Sequence, residues 1–154
     1  MQLIRVWVYI MTLSLLSGCT STTVLNSELI GACLRTASST YIYKSYCTAA
    51  TGQYLLSTRT NDGGNPCIRG AAEYLLPPDI DLQINRVMKQ GRGSTGDCLR
   101  IEVSILSGEN KGLIADIPVC GLLHPSPFWI TQGFDAESEI LFDENFATLA
   151  LCTK

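Results

Sequence analysis

The amino-acid sequence predicts a mainly β protein: a small antiparallel barrel or sandwich with one short N-terminal helix, braced by disulfide bonds. Seven or eight segments rich in aromatic and β-branched residues follow one another about every 8–12 residues, separated by Gly, Pro, Asn and Asp. Residues 79–87 and 98–105 alternate apolar and polar side chains, as strands with one buried face do. An even number of cysteines between residues 33 and 152 predicts the disulfide bonds.

The first 18 residues have the three parts of an export signal. Arg5 supplies a positive charge, residues 6–16 are apolar apart from one threonine and one serine, and two small residues follow. This apolar run is too short for a membrane-spanning helix, which needs about 20 apolar residues. We therefore expect residues 1–18 to be a cleaved signal peptide, and cleavage after Gly18 makes Cys19 the new amino terminus.

The motif Leu16-Ser17-Gly18-Cys19 resembles the lipobox of bacterial lipoproteins, and this resemblance covers residues 1–19 only. It implies that the Cys19 thiol receives a diacylglyceryl group, that signal peptidase II cuts before Cys19, and that the new amine is acylated. Two or more acyl chains hold a protein stably on a membrane. In this family an Asp after the cysteine favours the inner membrane. Thr20 stands there, so the resemblance implies the outer membrane, facing the periplasm. The alternative is an ordinary secretory signal with a chance cysteine.

Removal of residues 1–18 from the 154-residue chain leaves 136 residues, the length of one domain with a real core. We expect residues 19–26 to form a lipidated polar tether and residues 27–154 to form a single periplasmic domain. A helix is predicted from Asn26 or Ser27 to about residue 37, because either residue can cap a helix and apolar residues follow at helical spacing. Gly31 disfavours a helix in this stretch.

The strands are predicted from alternation and from the turn residues between them. The clearest two place Ile80, Leu82 and Ile84 on one buried face, and Leu99, Ile101, Val103 and Ile105 on another. Residues 107–112 predict a hairpin turn, and the last strand is expected to return to the sheet. The predicted strands are residues 41–47, 53–58, 79–87, 98–105, 113–119, 128–131 and 146–152.

The order strand, long loop, strand, Gly-Glu-Asn-Lys-Gly turn and strand over residues 79–119 is similar to SH3-like barrels. An OB-like barrel fits almost as well. Neither fold would determine a function. The net charge indicates the class of partner. After residue 18 the chain carries 14 acidic side chains against 10 basic ones. This acidic balance argues against a nucleic-acid partner, which would reward basic patches.

Six cysteines follow Cys19, and in an exported chain they predict up to three disulfide bonds. Fifteen pairings are open to six cysteines, and the sequence does not choose among them. No metal site is predicted, because there is no Cys-x-x-Cys and only one histidine. The disulfide candidates are Cys33, Cys47, Cys67, Cys98, Cys120 and Cys152.

No catalytic residue and no cofactor are predicted. Residues 91–96 match the letters of a dinucleotide-binding loop, but the segment that follows alternates as a strand, whereas that loop must open a helix. His124, the only imidazole, has no nucleophile motif to accompany it. The carboxylates within residues 135–144 lack the calcium-loop pattern. They fit either a glycosidase pair or, as we favour, a solvated acidic edge.

Aromatic residues provide the candidate partner surface. Phe128 and Trp129 follow two prolines, and Tyr41 and Tyr43 share one face of a predicted strand. Exposed aromatics of this kind anchor protein interfaces. The alternative is that these side chains close the hydrophobic core.

The leading hypothesis is a non-enzymatic, membrane-anchored lipoprotein whose β domain binds a protein or an envelope polymer, as an accessory, inhibitor or immunity factor. The first alternative is an envelope glycan hydrolase that uses carboxylates within residues 135–144. The second is a structural component of an outer-membrane complex. These hypotheses rest on the lipobox and on the lack of a recognisable catalytic motif.

Overall fold

The structure, a computed structural model, describes residues 22–46, 53–58, 68–91, 97–119, 129–132 and 139–152. Eleven strands and no helix lie in these ranges, which confirms the mainly β prediction. Consequently, no helix in them has the length and apolar character needed to cross a membrane. The strands are β1 (Thr22–Val24), β2 (Cys33–Thr36), β3 (Thr40–Lys44), β4 (Tyr54–Ser57), β5 (Tyr74–Leu76), β6 (Asp81–Gly91), β7 (Asp97–Ile105), β8 (Ile114–Pro118), β9 (Ile130–Gln132), β10 (Leu141–Phe142) and β11 (Ala147–Ala150).

Nine strands form one sheet that curls into a half barrel, in the order β11-β2-β6-β7-β8-β4-β3-β5. The ninth strand, β1, pairs with β6, and β9 and β10 form a separate two-stranded sheet. The predicted sheet was wholly antiparallel, whereas β4 and β8 pair in parallel. Three strands lie between β4 and β8 in the chain, which gives the connection the length that a parallel pair needs.

The pairing of β6 with β7 confirms the two clearest strand predictions. All seven residues predicted to face inward are buried, and those on β7 are at most 2% exposed. A bulge between Ile84 and Arg86 interrupts the register. It adds one residue, so Val87 becomes the next core residue after Ile84, and Arg86 lies on the outer face.

The turn between β7 and β8 forms the predicted hairpin. The Gly112 amide donates to the Ile105 carbonyl, and the Ile105 amide donates to the Leu113 carbonyl, both at 2.9 Å. Gly108 has a φ of +76°, and a Cβ placed on it would lie 2.9 Å from Cδ1 of Ile80. Glycine is therefore the residue that this turn requires at position 108.

The predicted helix from Asn26 or Ser27 to residue 37 is wrong. The Ile30 amide donates to the Ser27 carbonyl, which closes a single turn, and strand β2 follows. Gly31 has a φ of +89°, which a right-handed helix does not allow. The helical spacing of the apolar residues is outweighed by strand pairing, because β2 is hydrogen-bonded to β6 on one side and to β11 on the other.

Part of the predicted tether belongs to the sheet. Thr22–Val24 forms β1 and pairs with the last part of β6, and Leu25 packs against the hydrophobic core. The backbone amide of Leu25 also donates to the carbonyl of Val87 at 2.9 Å. The predicted tether is therefore too long, because residues 22–25 belong to the folded domain.

The core fills the concave side of the curled sheet. Trp129 is 2% exposed and packs there, with its ring centroid 6.3 Å from that of Phe146. A second, smaller cluster joins Tyr43, Leu55 and Ile68. Because Tyr43 and Leu55 are cross-strand partners on β3 and β4, this cluster covers part of the outer face.

The last strand returns to the sheet as predicted and is joined to it covalently. Ala150 of β11 pairs with Cys33 of β2, and Cys33 forms a disulfide bond with Cys152 across a separation of 119 residues. The disulfide prediction is thereby confirmed for this pair. Cys47, Cys67, Cys120 and the side chain of Cys98 lie outside the described part, and their pairing stays a prediction.

Replacement of both bonded cysteines, as Cys33→Ala with Cys152→Ser, should lower the free energy of unfolding of the mature domain by about 2–5 kcal/mol. The reason is that the bond closes a very long loop and so restricts the unfolded chain. Urea denaturation under non-reducing conditions measures the change. The exposed neighbour Leu151 provides a control, because Leu151→Ser should change the value by less than about 0.5 kcal/mol. An unchanged stability in the double variant would contradict this role.

Candidate binding cleft

Among the described residues, three arginine–carboxylate pairs cross neighbouring strands on the outer face of the sheet. Arg35 contacts Asp81 at 2.9 Å, Arg86 contacts Glu102 at 2.5 Å, and Arg100 contacts Asp116. The three carboxylate side chains are at most 5% exposed, whereas the side chains of Arg35 and Arg86 are 41% and 44% exposed. The acidic groups are thus buried, and two of the three arginines reach solvent.

The Arg86–Glu102 pair is bidentate. Nε of Arg86 donates to Oε1 of Glu102 at 3.0 Å, and Nη2 donates to Oε2 at 2.5 Å. The bulge in β6 makes this pair possible, because it places Arg86 opposite Glu102 on the outer face. Hydrogen bonding to Glu102 raises the pKa of the Arg86 guanidinium, although partial burial opposes this effect. Both oxygens of the carboxylate are therefore held in one geometry.

Glu102 and Asp116 are direct cross-strand partners on β7 and β8. Two like charges in that position repel each other. Arg86 and Arg100 supply a positive charge to each member, so the four side chains together carry no net charge. This balance explains how two buried carboxylates are tolerated side by side.

A cleft of about 390 Å³ opens beside this group. Arg86 and Glu102 form its charged wall, Gln53 and Tyr54 contribute from the β4 side, and residues 112–114 complete it. Ile114 is 45% exposed there and offers an apolar surface. A few fixed polar groups beside apolar side chains are the usual composition of a ligand site.

Tyr54 connects the cleft to the edge strand β5. Its ring meets that of Tyr74 edge to face, with centroids 6.0 Å apart. Burial, together with the neighbouring Tyr74, raises the pKa of the Tyr54 phenol above its ordinary value of 10.0. The Tyr54 ring also packs against the hydrophobic core. Tyr74 and Leu75 are 41% and 53% exposed, so this end of the sheet offers aromatic and apolar surface.

Two of the four aromatic residues predicted to form a partner surface are buried in this structure. Tyr43 is fully buried and Trp129 is 2% exposed, so both are core residues and cannot anchor a partner in this structure. Tyr41 is half-buried and packs against the cluster that contains Tyr43. Phe128 lies outside the described part. Tyr43 lies on the face of β3 that packs against Leu55 of β4, and Trp129, which precedes β9, packs against Phe146.

Of the acidic residues within 135–144, Asp143 has a structural role in the turn before β11. Oδ1 of Asp143 accepts hydrogen bonds from the Asn145 amide and side chain, at 2.9 and 2.8 Å. Its carbonyl accepts the amides of Phe146 and Ala147. Asp143 thus builds the turn before β11. Glu139 and Glu144 are exposed.

The other candidate residues from the sequence lie outside the described ranges. They are Cys19, His124, Asp135 and Glu137. Within those ranges, no group of three or more His, Cys, Asp or Glu side chains could hold a metal ion. Asp97–Ile105, which follows the glycine-rich residues 91–96, is strand β7 rather than the helix that a dinucleotide-binding loop requires.

Sequence reasoning missed the cleft because its residues come from four separate strands and turns. One signal was present. Arg86 and Arg100 each have an opposite charge 16 residues later, on the next predicted strand, where an antiparallel neighbour can bring the two charges together. No family model, no curated protein and no solved structure matches the chain, so the interpretation of the cleft depends on its own residues.

Replacing Arg86 alone should destabilise the domain more than replacing both members of the pair. Arg86→Met removes the bidentate partner of the buried Glu102 carboxylate, at a cost of about 1–3 kcal/mol. Arg86→Met with Glu102→Met removes that buried charge and its repulsion with Asp116, and should recover at least half of the loss. Urea denaturation of both variants provides the comparison. Destabilisation by the double variant equal to or larger than that by Arg86→Met would contradict this account.

Proposed function

We propose that this chain is a lipid-anchored protein of the bacterial envelope whose β domain is a non-catalytic binding module. The motif Leu16-Ser17-Gly18-Cys19 supports the anchor. The cleft supports the binding function. The observation that carries it is the bidentate Arg86–Glu102 pair, which forms a rigid polar wall facing the exposed side chain of Ile114.

The hydrogen bonding of the cleft favours recognition over catalysis. Both Glu102 oxygens accept hydrogen bonds from Arg86, so this carboxylate serves as a charge partner rather than as a proton shuttle. Groups held in this way orient a ligand without reacting with it.

The cleft favours an uncharged segment of a protein partner. Its charged wall is internally neutralised, Gln53 offers hydrogen bonds, and Leu113 and Ile114 offer apolar contact. An envelope polymer is the other partner class, and accessory, inhibitor or immunity roles all fit a module of this kind. The finer similarity to SH3-like or OB-like barrels stays a prediction, supported by the consecutive pairing of β6, β7 and β8.

The proposed location is the periplasmic face of the outer membrane. It follows from the lipobox and from Thr20 in the sorting position. Cells expressing the chain should incorporate radiolabelled palmitate into it, and Cys19→Ser should abolish that incorporation. Globomycin, which inhibits signal peptidase II, should cause the unprocessed form to accumulate. Processing that continues unchanged under globomycin would contradict lipidation at Cys19.

A photo-crosslinking amino acid at position 114 should capture a protein partner in living cells. The matched control is position 141, because Leu141 is 42% exposed, close to the 45% of Ile114, and lies in the separate two-stranded sheet. One protein captured from position 114 and not from 141 would locate the binding face, as mass spectrometry of the adducts will show. Glycan adducts at position 114 would favour the polymer class, and equal capture at both positions would contradict binding at the cleft.

A further inference from the structure

Exposed aliphatic side chains follow one edge of the sheet. They occur in β1, in the turn after it, in β11 and directly after β11. We call these four residues the aliphatic edge: Val24 (56% exposed), Ile30 (42%), Leu149 (59%) and Leu151 (91%).

The strand register brings the four residues to the same edge. β7 occupies one side of β6, so β2 and β1 share the other side, with β2 opposite residues 81–83 and β1 opposite residues 88–90. The turn that contains Ile30 lies between them. β11 lies outside β2 with Ala150 opposite Cys33, so Leu151 and Cys152 run on towards that turn. The Cys33–Cys152 disulfide bond holds this arrangement.

The lipidation site is close to this edge along the chain. Only Thr20 and Ser21 separate Cys19 from the first residue of β1. At about 3.6 Å per residue, Cys19 can lie no more than about 11 Å from Thr22. Acyl chains on Cys19 therefore hold the β1 end of the sheet at the membrane surface, rather than letting the domain move freely on a long tether.

We propose that the aliphatic edge lies on the bilayer to which Cys19 is anchored. This inference rests on the proposed lipidation. Aliphatic side chains partition into the boundary between headgroups and acyl chains, and an attached lipid keeps them there. Charge is compatible with this contact, because residues 22–32 and 149–152 include one charged residue, Glu28.

The cleft lies across the sheet from the aliphatic edge. Ile114 is on β8, which follows β11, β2, β6 and β7 in the strand order. Four strand spacings of about 4.8 Å, or about 19 Å measured across the sheet, therefore separate it from β11. With the aliphatic edge on the bilayer, the cleft lies away from the membrane surface.

Quenching by lipids tests the orientation directly. The mature chain has a single tryptophan, the buried Trp129, so an introduced tryptophan reports its own depth once the wild-type signal is subtracted. Acylated full-length Val24→Trp and Leu75→Trp proteins are placed in vesicles of phosphatidylethanolamine and phosphatidylglycerol (3:1) that contain nitroxide-labelled lipid. Leu75, 53% exposed on β5 at the opposite edge, is the matched control. Val24→Trp should be quenched at least three-fold more strongly.

A second pair of variants separates contact from anchoring. Leu149→Asp with Leu151→Asp should reduce the quenching of Val24→Trp at least two-fold, while flotation with vesicles is unchanged because the acyl chains remain. Tyr74→Asp with Leu75→Asp should leave the quenching as it was. Equal quenching at positions 24 and 75, in protein that mass spectrometry shows to be acylated, would overturn the orientation alone. Protein without an acyl group at Cys19 would overturn both proposals, and crosslinking between copies through position 151 would assign the edge to a second copy instead.

Discussion

The longest strand, β6, pairs with three of the other eight strands in its sheet, and so joins the terminal strands to the central hairpin. It is 11 residues long and pairs along one side with β7. Its other side is divided between β2 and β1, which allows both ends of the folded chain to meet there. The single bulge between Ile84 and Arg86 then divides β6 into a half that faces the core through Leu82 and Ile84, and a half that begins with the arginine of the cleft.

The outer face of the sheet combines buried charge with an open cleft. Ion pairs of this kind contribute little net stability, because the cost of removing the charges from water offsets their attraction. They are costly to break, however, and this enforces one arrangement of β6, β7 and β8. The side chain of Arg86 is therefore held in one orientation. For the binding function that we propose, this orientation reduces the entropy that binding would otherwise lose.

Local patterns predicted the part of the fold in which neighbours in sequence are neighbours in space. Alternation at Leu82 and Ile84, and again at Ile101 and Val103, has one interpretation when each strand has one buried face. The hairpin at Gly108 was equally predictable, since the turn chemistry is local. Helical spacing near Gly31 led to the wrong prediction of a helix. Strand β2 lies between β6 and β11, and the hydrogen bonds and burial that it gains there outweigh a weak local preference for helix.

By itself, the sequence determined the β class, the two central strands, the presence of disulfide bonds and the motif at Cys19, because each depends on adjacent residues. Only the tertiary structure decided that Cys33 bonds to Cys152, that Trp129 belongs to the core, and that Arg86 pairs with Glu102 beside a cleft. Each of these depends on contacts between distant parts of the chain. Strand order and register set those contacts, and no local pattern of residues encodes them.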